Sequence, residues 1–212
     1  TYLSRKARKM LDEAGFPDCK ICASNSLDEY IIRDMLMQGA KVDSFGVGER
    51  LITSGSEPVF GGVYKLAGVE DANGNIIPKI KISENVEKIT IPHFKKVYRF
   101  YGNDTGKAIA DYIAFHDEEI DESQPLTIFD PIATWKRQEL RNYTARKLLC
   151  PVFEKGRLVY QSPSLPEIQK YCLAQVDTLW DEMKRFEFPH RYYVDLSQNL
   201  WQAKRDLLDS IR

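Results

Sequence analysis

No stretch of this chain concentrates positive charge, and no apolar run reaches the roughly 18–20 residues that a membrane helix needs. Lys and Arg number 30 against 31 Asp and Glu, for a formal net charge of −1. Nucleic acid is therefore not an expected partner, because binding it leaves a concentrated basic footprint, and a membrane is not expected either. Four cysteines are too few to staple 212 residues, so a reducing compartment, the cytoplasm, is the expected location. Cys19-Lys20-Ile21-Cys22 has a metal-site spacing, but it falls in a strand-like run, Cys19 to Ala23. A separation of three in a strand sends side chains to opposite faces, so no metal is expected there. No signal peptide opens the chain. It starts at Thr1, without Met and already inside a helical pattern, as a fragment or trimmed chain would. Internal repeats and low-complexity linkers are also missing.

What is present is an ordinary globular balance, 43% apolar and 29% charged, on a chain long enough to bury a sizeable core. Leu3, Ala7, Met10, Leu11 and Ala14 recur at helical spacing until Gly15-Phe16-Pro17 stops them. The strand Cys19 to Ala23 follows. Ser26-Leu27-Asp28-Glu29 has the form of a capping box for a helix ending at Gly39, and a second strand, Lys41 to Phe45, runs into Gly46-Val47-Gly48. This α-β-α-β order with short connections is that of a parallel sheet or a (β/α) barrel.

Past residue 60 the pattern changes to hairpins. Strands are expected at Gly62–Val69, Ile76–Ile82, Lys95–Tyr101, Lys107–Phe115, Leu126–Phe129, Ala145–Phe153 and Leu158–Tyr160. Asn73-Gly74 and Asp104-Thr105-Gly106 mark turns between them. Two helices close the chain, one capped by Ser164-Leu165-Pro166-Glu167 and one by Asp195-Leu196-Ser197-Gln198. The expected organisation is a partial barrel over 1–70, a β-rich region over 71–160 and a helical region over 161–212. The acidic run from Asp117 to Glu122 reads as a solvated loop between strands, because no fixed ligand geometry is evident.

The chemistry is expected at the C-terminal ends of the two parallel strands, the edge where (β/α) folds build active sites. There Ser24-Asn25-Ser26 and Gly46-Val47-Gly48 form small polar turns leading toward helices. Glycine lets backbone approach an anion, and free amides near a helix start favour phosphate. Two adjacent turns could therefore make a phosphate cradle, or they could be structural turns only. The Gly-Val-Gly spacing alone is neither a dinucleotide fingerprint nor a P-loop.

Ala23-Ser24-Asn25-Ser26-Leu27-Asp28-Glu29-Tyr30 is similar to the Ala-Ser-Asn-x-Leu-(Asp/Asn)-Glu segment of the nicotinate phosphoribosyltransferase family, and Asp43 to Gly48 to its phosphate loop. Phe60-Gly61-Gly62-Val63-Tyr64-Lys65-Leu66, Pro78 to Ser83 and Pro189 to Val194 also resemble it, leaving about Phe94 to Leu165 unmatched.

The resemblance implies the C-terminal part of a type II phosphoribosyltransferase: part of its (β/α) barrel, then a hairpin-rich region and two helices. It implies an enzyme of NAD biosynthesis or salvage that joins nicotinate to phosphoribosyl pyrophosphate. The implied cofactors are Mg²⁺ and ATP, with ATP hydrolysis coupled through a phosphorylated histidine. By resemblance Ser24, Asn25, Gly46, Val47 and Gly48 hold the ribose 5′-phosphate, and Glu49 contributes its amide. The family often has Thr where Glu49 stands. A carboxylate repels phosphate, so the Glu49 side chain is expected to turn away, toward Arg50. The family's Arg-x-Asp-Ser-Gly-Asp segment, placed before Tyr2, and its phosphorylated histidine are not in this chain, and His93, His116 and His190 fall in no matching motif. No catalytic residue is therefore assigned here, and the chain alone is expected to be inactive. A missing N-terminal half and a second copy are the expected protein partners. The alternatives are a phosphoribosyltransferase for another pyridine, such as nicotinamide, and a non-catalytic α+β binding or assembly module.

Overall fold

The computed structural model describes residues 1–53 and 62–211, with Glu87 by its backbone alone. Phe60 and Gly61, which begin one of the resembling segments, lie outside the described residues. The chain divides into two compact units, 1–63 and 64–212.

In the first unit α1 (Tyr2–Glu13) leads to β1 (Cys22–Ser24), α2 (Glu29–Met37), β2 (Ser44–Gly46) and the short α3 (Glu49–Thr53). β1 and β2 pair in parallel, with Ala23 opposite Phe45. The expected strands were longer and began earlier. Asp43 shows why: its carboxylate, not a ladder carbonyl, accepts the Ile21 amide at 2.8 Å. That bond, ahead of Lys20, holds the Asp43 carboxyl below the usual carboxylate range. Arg8 binds the α1–β1 connection, donating to the carbonyls of Phe16 and Cys19 at 2.7 and 2.5 Å. Cys19 thus lies before the strand, so strand alternation does not govern the Cys19–Cys22 pair, and both thiols are free and exposed. Of the described residues in this unit, Leu27 alone is buried.

The second unit begins with the hairpin β3 (Gly68–Glu70) and β4 (Ile76–Pro78), which pair antiparallel. Asp71 closes the turn by accepting the amides of Asn73 and Asn75, and Gly74 adopts a positive φ of 85°. Then come β5 (Lys95–Gly102), β6 (Ala108–Phe115), β7 (Leu126–Phe129), β8 (Arg137–Leu140) and β9 (Tyr143–Lys147). The expected long strand from Ala145 to Phe153 is broken, as Pro151 has no amide to donate. Beyond it β10 (Phe153–Glu154) and β11 (Arg157–Leu158) make a small hairpin over Lys155 and Gly156, both at positive φ. α4 (Leu165–Asp177) starts at the capping box of Ser164 and Glu167. β12 (Val194–Leu196) and α5 (Gln198–Asp209) follow.

The main sheet has the order β12-β6-β5-β9. Burial alternates strictly along β6, with Ala108, Ala110, Tyr112 and Ala114 inward. The three alanines leave room for Tyr98, Phe100, Tyr112 and Tyr143, and Ile128 and Leu140 from the β7–β8 hairpin complete the core. Outside the core, Arg99 forks onto Asp111 at 2.7 and 2.9 Å across β5 and β6, and Tyr192 donates to the same carboxylate. The acidic loop after β6 is tied down by Glu119, which accepts from Lys96 and Lys147 at 2.6 and 3.1 Å. Bonds to those two lysines hold its carboxyl down at about 2.

One expectation fails in kind. Asp195 and Leu196 do not start the last helix; they lie in β12, which pairs in parallel with β6, Asp195 opposite Tyr112. Ser197 caps α5 instead, accepting the Leu200 amide at 3.1 Å.

Candidate functional site

The two parallel strands of the first unit end side by side, Ser24 opposite Gly46. The turns that follow line one cavity of about 250 Å³: Ser24, Asn25, Ser26 and Leu27 from the first, Gly46, Gly48, Glu49 and Arg50 from the second. Five of the six residues expected to bind phosphate are thus brought together. Val47 is not among the lining residues.

The backbone of the first turn is unusual. Asn25 and Ser26 both have positive φ, 88° and 52°. Two successive non-glycine residues in that region cost of the order of 1–3 kcal/mol each, and such strain clusters where a loop must present groups in a set direction. It also explains why Ser26 does not cap α2. A cap needs extended backbone, which Asp28 has at φ −138° and ψ 177°, and Asp28 accepts the Ile31 amide at 2.9 Å.

The two glycines differ in their surroundings. A Cβ on Gly46 would lie 3.0 Å from Ser24 Oγ and 3.3 Å from Ser24 Cβ, so any larger residue there would have to push the Ser24 side chain aside. A Cβ on Gly48 would meet nothing within 4 Å. Packing among the described residues therefore does not demand its smallness.

Arg50 is the residue that sequence reasoning misplaced. It pairs with Asp28, not Glu49, donating from Nη1 to Asp28 Oδ2 at 3.1 Å. The half-buried Asp28 therefore caps α2 with one oxygen and holds Arg50 with the other, which keeps a cation at the cavity wall. The three histidines lie elsewhere. His93 and His116 flank β5 and β6, His93 edge-on to the Phe115 ring and His116 tilted against Phe94, and the His190 amide donates to the Glu182 carbonyl.

Comparison with known proteins bears on the second unit as well. A family model described as the nicotinate phosphoribosyltransferase C-terminal domain matches residues 94–204. The chain belongs to the nicotinate phosphoribosyltransferase family. That match covers the stretch in which the motif resemblance found nothing, so the two lines of evidence are complementary. As the C-terminal portion of a family member, the chain is 43% identical over 211 residues to nicotinate phosphoribosyltransferase of Bacillus subtilis (strain 168), covering 100% of this chain and 43% of that protein. It is 31% identical over 227 residues to the Dictyostelium discoideum enzyme, covering 100% of the chain and 38% of the relative. The chain thus spans less than half the length of these relatives. The crystal structure of human nicotinic acid phosphoribosyltransferase superposes with a TM-score of 0.68 at 22% identity, over 96% of this chain and 36% of that one. At that identity the likeness establishes the fold. Among the described residues no helix is long and apolar enough to cross a membrane.

Proposed function

We propose that this chain carries the ribose-phosphate end of the active site in an enzyme that joins nicotinate to phosphoribosyl pyrophosphate, forming nicotinate mononucleotide and pyrophosphate for NAD biosynthesis or salvage. The carrying observation is the convergence of Ser24–Leu27 and Gly46–Arg50 on one cavity at the ends of two parallel strands. In this reading Ser24, Asn25, Gly46, Val47, Gly48 and Glu49 receive the 5′-phosphate, largely through backbone amides, and Arg50 supplies positive charge from the wall. Fixing the phosphate places the anomeric carbon, which gains positive character as pyrophosphate departs, in reach of the pyridine nitrogen. Much of the rate advantage in such a transfer comes from that positioning. The two strands belong, in this proposal, to a (β/α) barrel completed by the rest of the enzyme, and the chain by itself is inactive.

Mg²⁺ and ATP belong to the proposed whole reaction. Among the described residues no group of three or more His, Cys, Asp or Glu gathers to hold a metal ion, and the cavity wall offers one carboxylate, Glu49. No step is assigned to either cofactor here. The four cysteines are free and exposed, which suits a reducing compartment, and the cytoplasm is the proposed location.

The test is Gly48→Val in the enzyme that contains this chain. Because a Cβ at this position has no protein atom within 4 Å, the variant should largely keep its melting temperature while the KM for phosphoribosyl pyrophosphate rises about tenfold or more. Parallel losses of melting temperature and activity would show instead that the turn is structural.

A further inference from the structure

A second cavity, of about 290 Å³, opens between β6, β12 and the β7–β8 hairpin. Its apolar walls are Ile109, Ala110, Ile128 and Phe129, and two acids, Asp130 and Asp195, lie in its lining. Both are buried, at 7% and 4% exposed. Asp130 is accounted for: one of its oxygens accepts the Ile132 and Ala133 amides at 2.8 and 2.9 Å, which shapes the turn after β7. Asp195 is not. Paired with Tyr112, it projects on the core-facing side of the sheet, and no hydrogen-bond donor among the described residues reaches its carboxylate. Its carboxylate opens onto the cavity instead of being sealed in, and a carboxylate so largely withdrawn from water favours a paired cation.

The charged groups around it do not supply that partner. Arg191 favours ionisation of both acids from a distance. Arg137 is engaged elsewhere, donating to the Thr134 carbonyl at 3.0 Å and lying over the Phe129 ring. Lys136 stands at the exposed mouth, and the Tyr112 hydroxyl resists ionisation in the same buried face. Burial first, and then the Asp130 charge, push the Asp195 carboxyl up to about 6.

We propose that this cavity is a receptor for a cationic hydrogen-bond donor, a guanidinium, amidinium or ammonium group on an apolar body, with Asp195 as its acceptor. The apolar body rests on Ile109, Ile128 and Phe129. The inference does not depend on the phosphoribosyl reading, whose cavity is in the other unit. Two sources offer this chemistry, a small amine or amidine and an arginine side chain of a polypeptide.

Isothermal titration of the 212-residue chain with benzamidinium, N-acetyl-arginine amide and benzoate tests it. One or both cations should bind saturably near pH 7.5 and benzoate should not. Affinity should fall about tenfold or more in Asp195→Asn, and likewise near pH 5, where the carboxyl is mostly protonated. Tighter binding of benzamidinium identifies a small-molecule source, and tighter binding of the arginine amide a polypeptide one. Absence of saturable binding by either cation, equal binding of benzoate, or wild-type affinity in Asp195→Asn overturns the proposal. Should that variant not fold, the pH comparison on the unmodified chain decides, and an affinity unchanged near pH 5 overturns it.

Discussion

Asp195 shows how one side chain can couple a site to stability. Its folded carboxyl sits near 6, above its ordinary value of 3.8, so the folded state holds the proton more tightly than the unfolded state does. The stabilising contribution of the protonated acid is therefore complete below about pH 4 and is lost as pH rises toward and through about 6. Asp195→Asn should melt higher than the parent chain near pH 7.5, by up to about 3 kcal/mol in unfolding free energy, with the advantage shrinking toward pH 4. Chemical denaturation of both proteins at the two pH values checks this, and a constant difference would exclude a titration at Asp195. The glycines make a second comparison at this scale. Gly46→Ala drives a Cβ against Ser24, part of the neighbouring strand, and should lower the melting temperature more than Gly48→Val does. The reverse order in a thermal melt would refute the distinction drawn between them.

At the scale of elements, legibility in the sequence tracked how local the deciding interaction is. Strands β6 and β7 were readable as short runs rich in apolar and aromatic residues, β7 at Leu126–Phe129 to the residue, but the alternating burial of β6 was not, because all but Asp111 of Ala108 to Phe115 is apolar. The capping box of Ser164 and Glu167 was legible for the same reason, since both partners sit within one turn. β12 was hidden: three residues carry no period, and what makes them a strand is pairing with β6, far away in sequence. That pairing draws Asp195 and Leu196 into the sheet and leaves Ser197 to cap α5. In the phosphate-type cavity the small and polar turn residues were legible. The Asp28–Arg50 pair was not, because it depends on how two turns face each other. Two substitutions follow. Ser197→Ala removes the acceptor for the Leu200 amide at a buried helix start and should cost about 1 kcal/mol, measured by denaturant unfolding. Asp28→Asn keeps the cap but weakens the hold on Arg50, and in the whole enzyme should raise the KM for phosphoribosyl pyrophosphate with little change in melting temperature. An unchanged KM would remove Arg50 from the proposed site.

Across the whole molecule the two units differ in how much they bury. The second has a continuous aromatic and aliphatic core, whereas α1 and α2 bury no residue, and Leu3, Met10, Leu36 and Met37 are each more than half exposed. Apolar surface on this scale is normally covered. In the proposed enzyme the remaining polypeptide and a second copy are the covers. The isolated 212-residue chain should therefore self-associate, and sedimentation at tens of micromolar measures it. A monomer with a sharp cooperative melt would mean that these faces are stable in water as they stand.

The late position of β12 also bears on biosynthesis. Its partner β6 is made long before it, and β7 to β11 and α4 intervene. A parallel pairing over such a separation must close a long loop before it gains anything, which makes it a slow step. While the ribosome is still translating those intervening segments, β6 has Tyr112 and its neighbours in place but one bare edge, open to pairing with strands of other nascent chains. A stop codon between the end of β6 and residue 194 would make that passing hazard permanent.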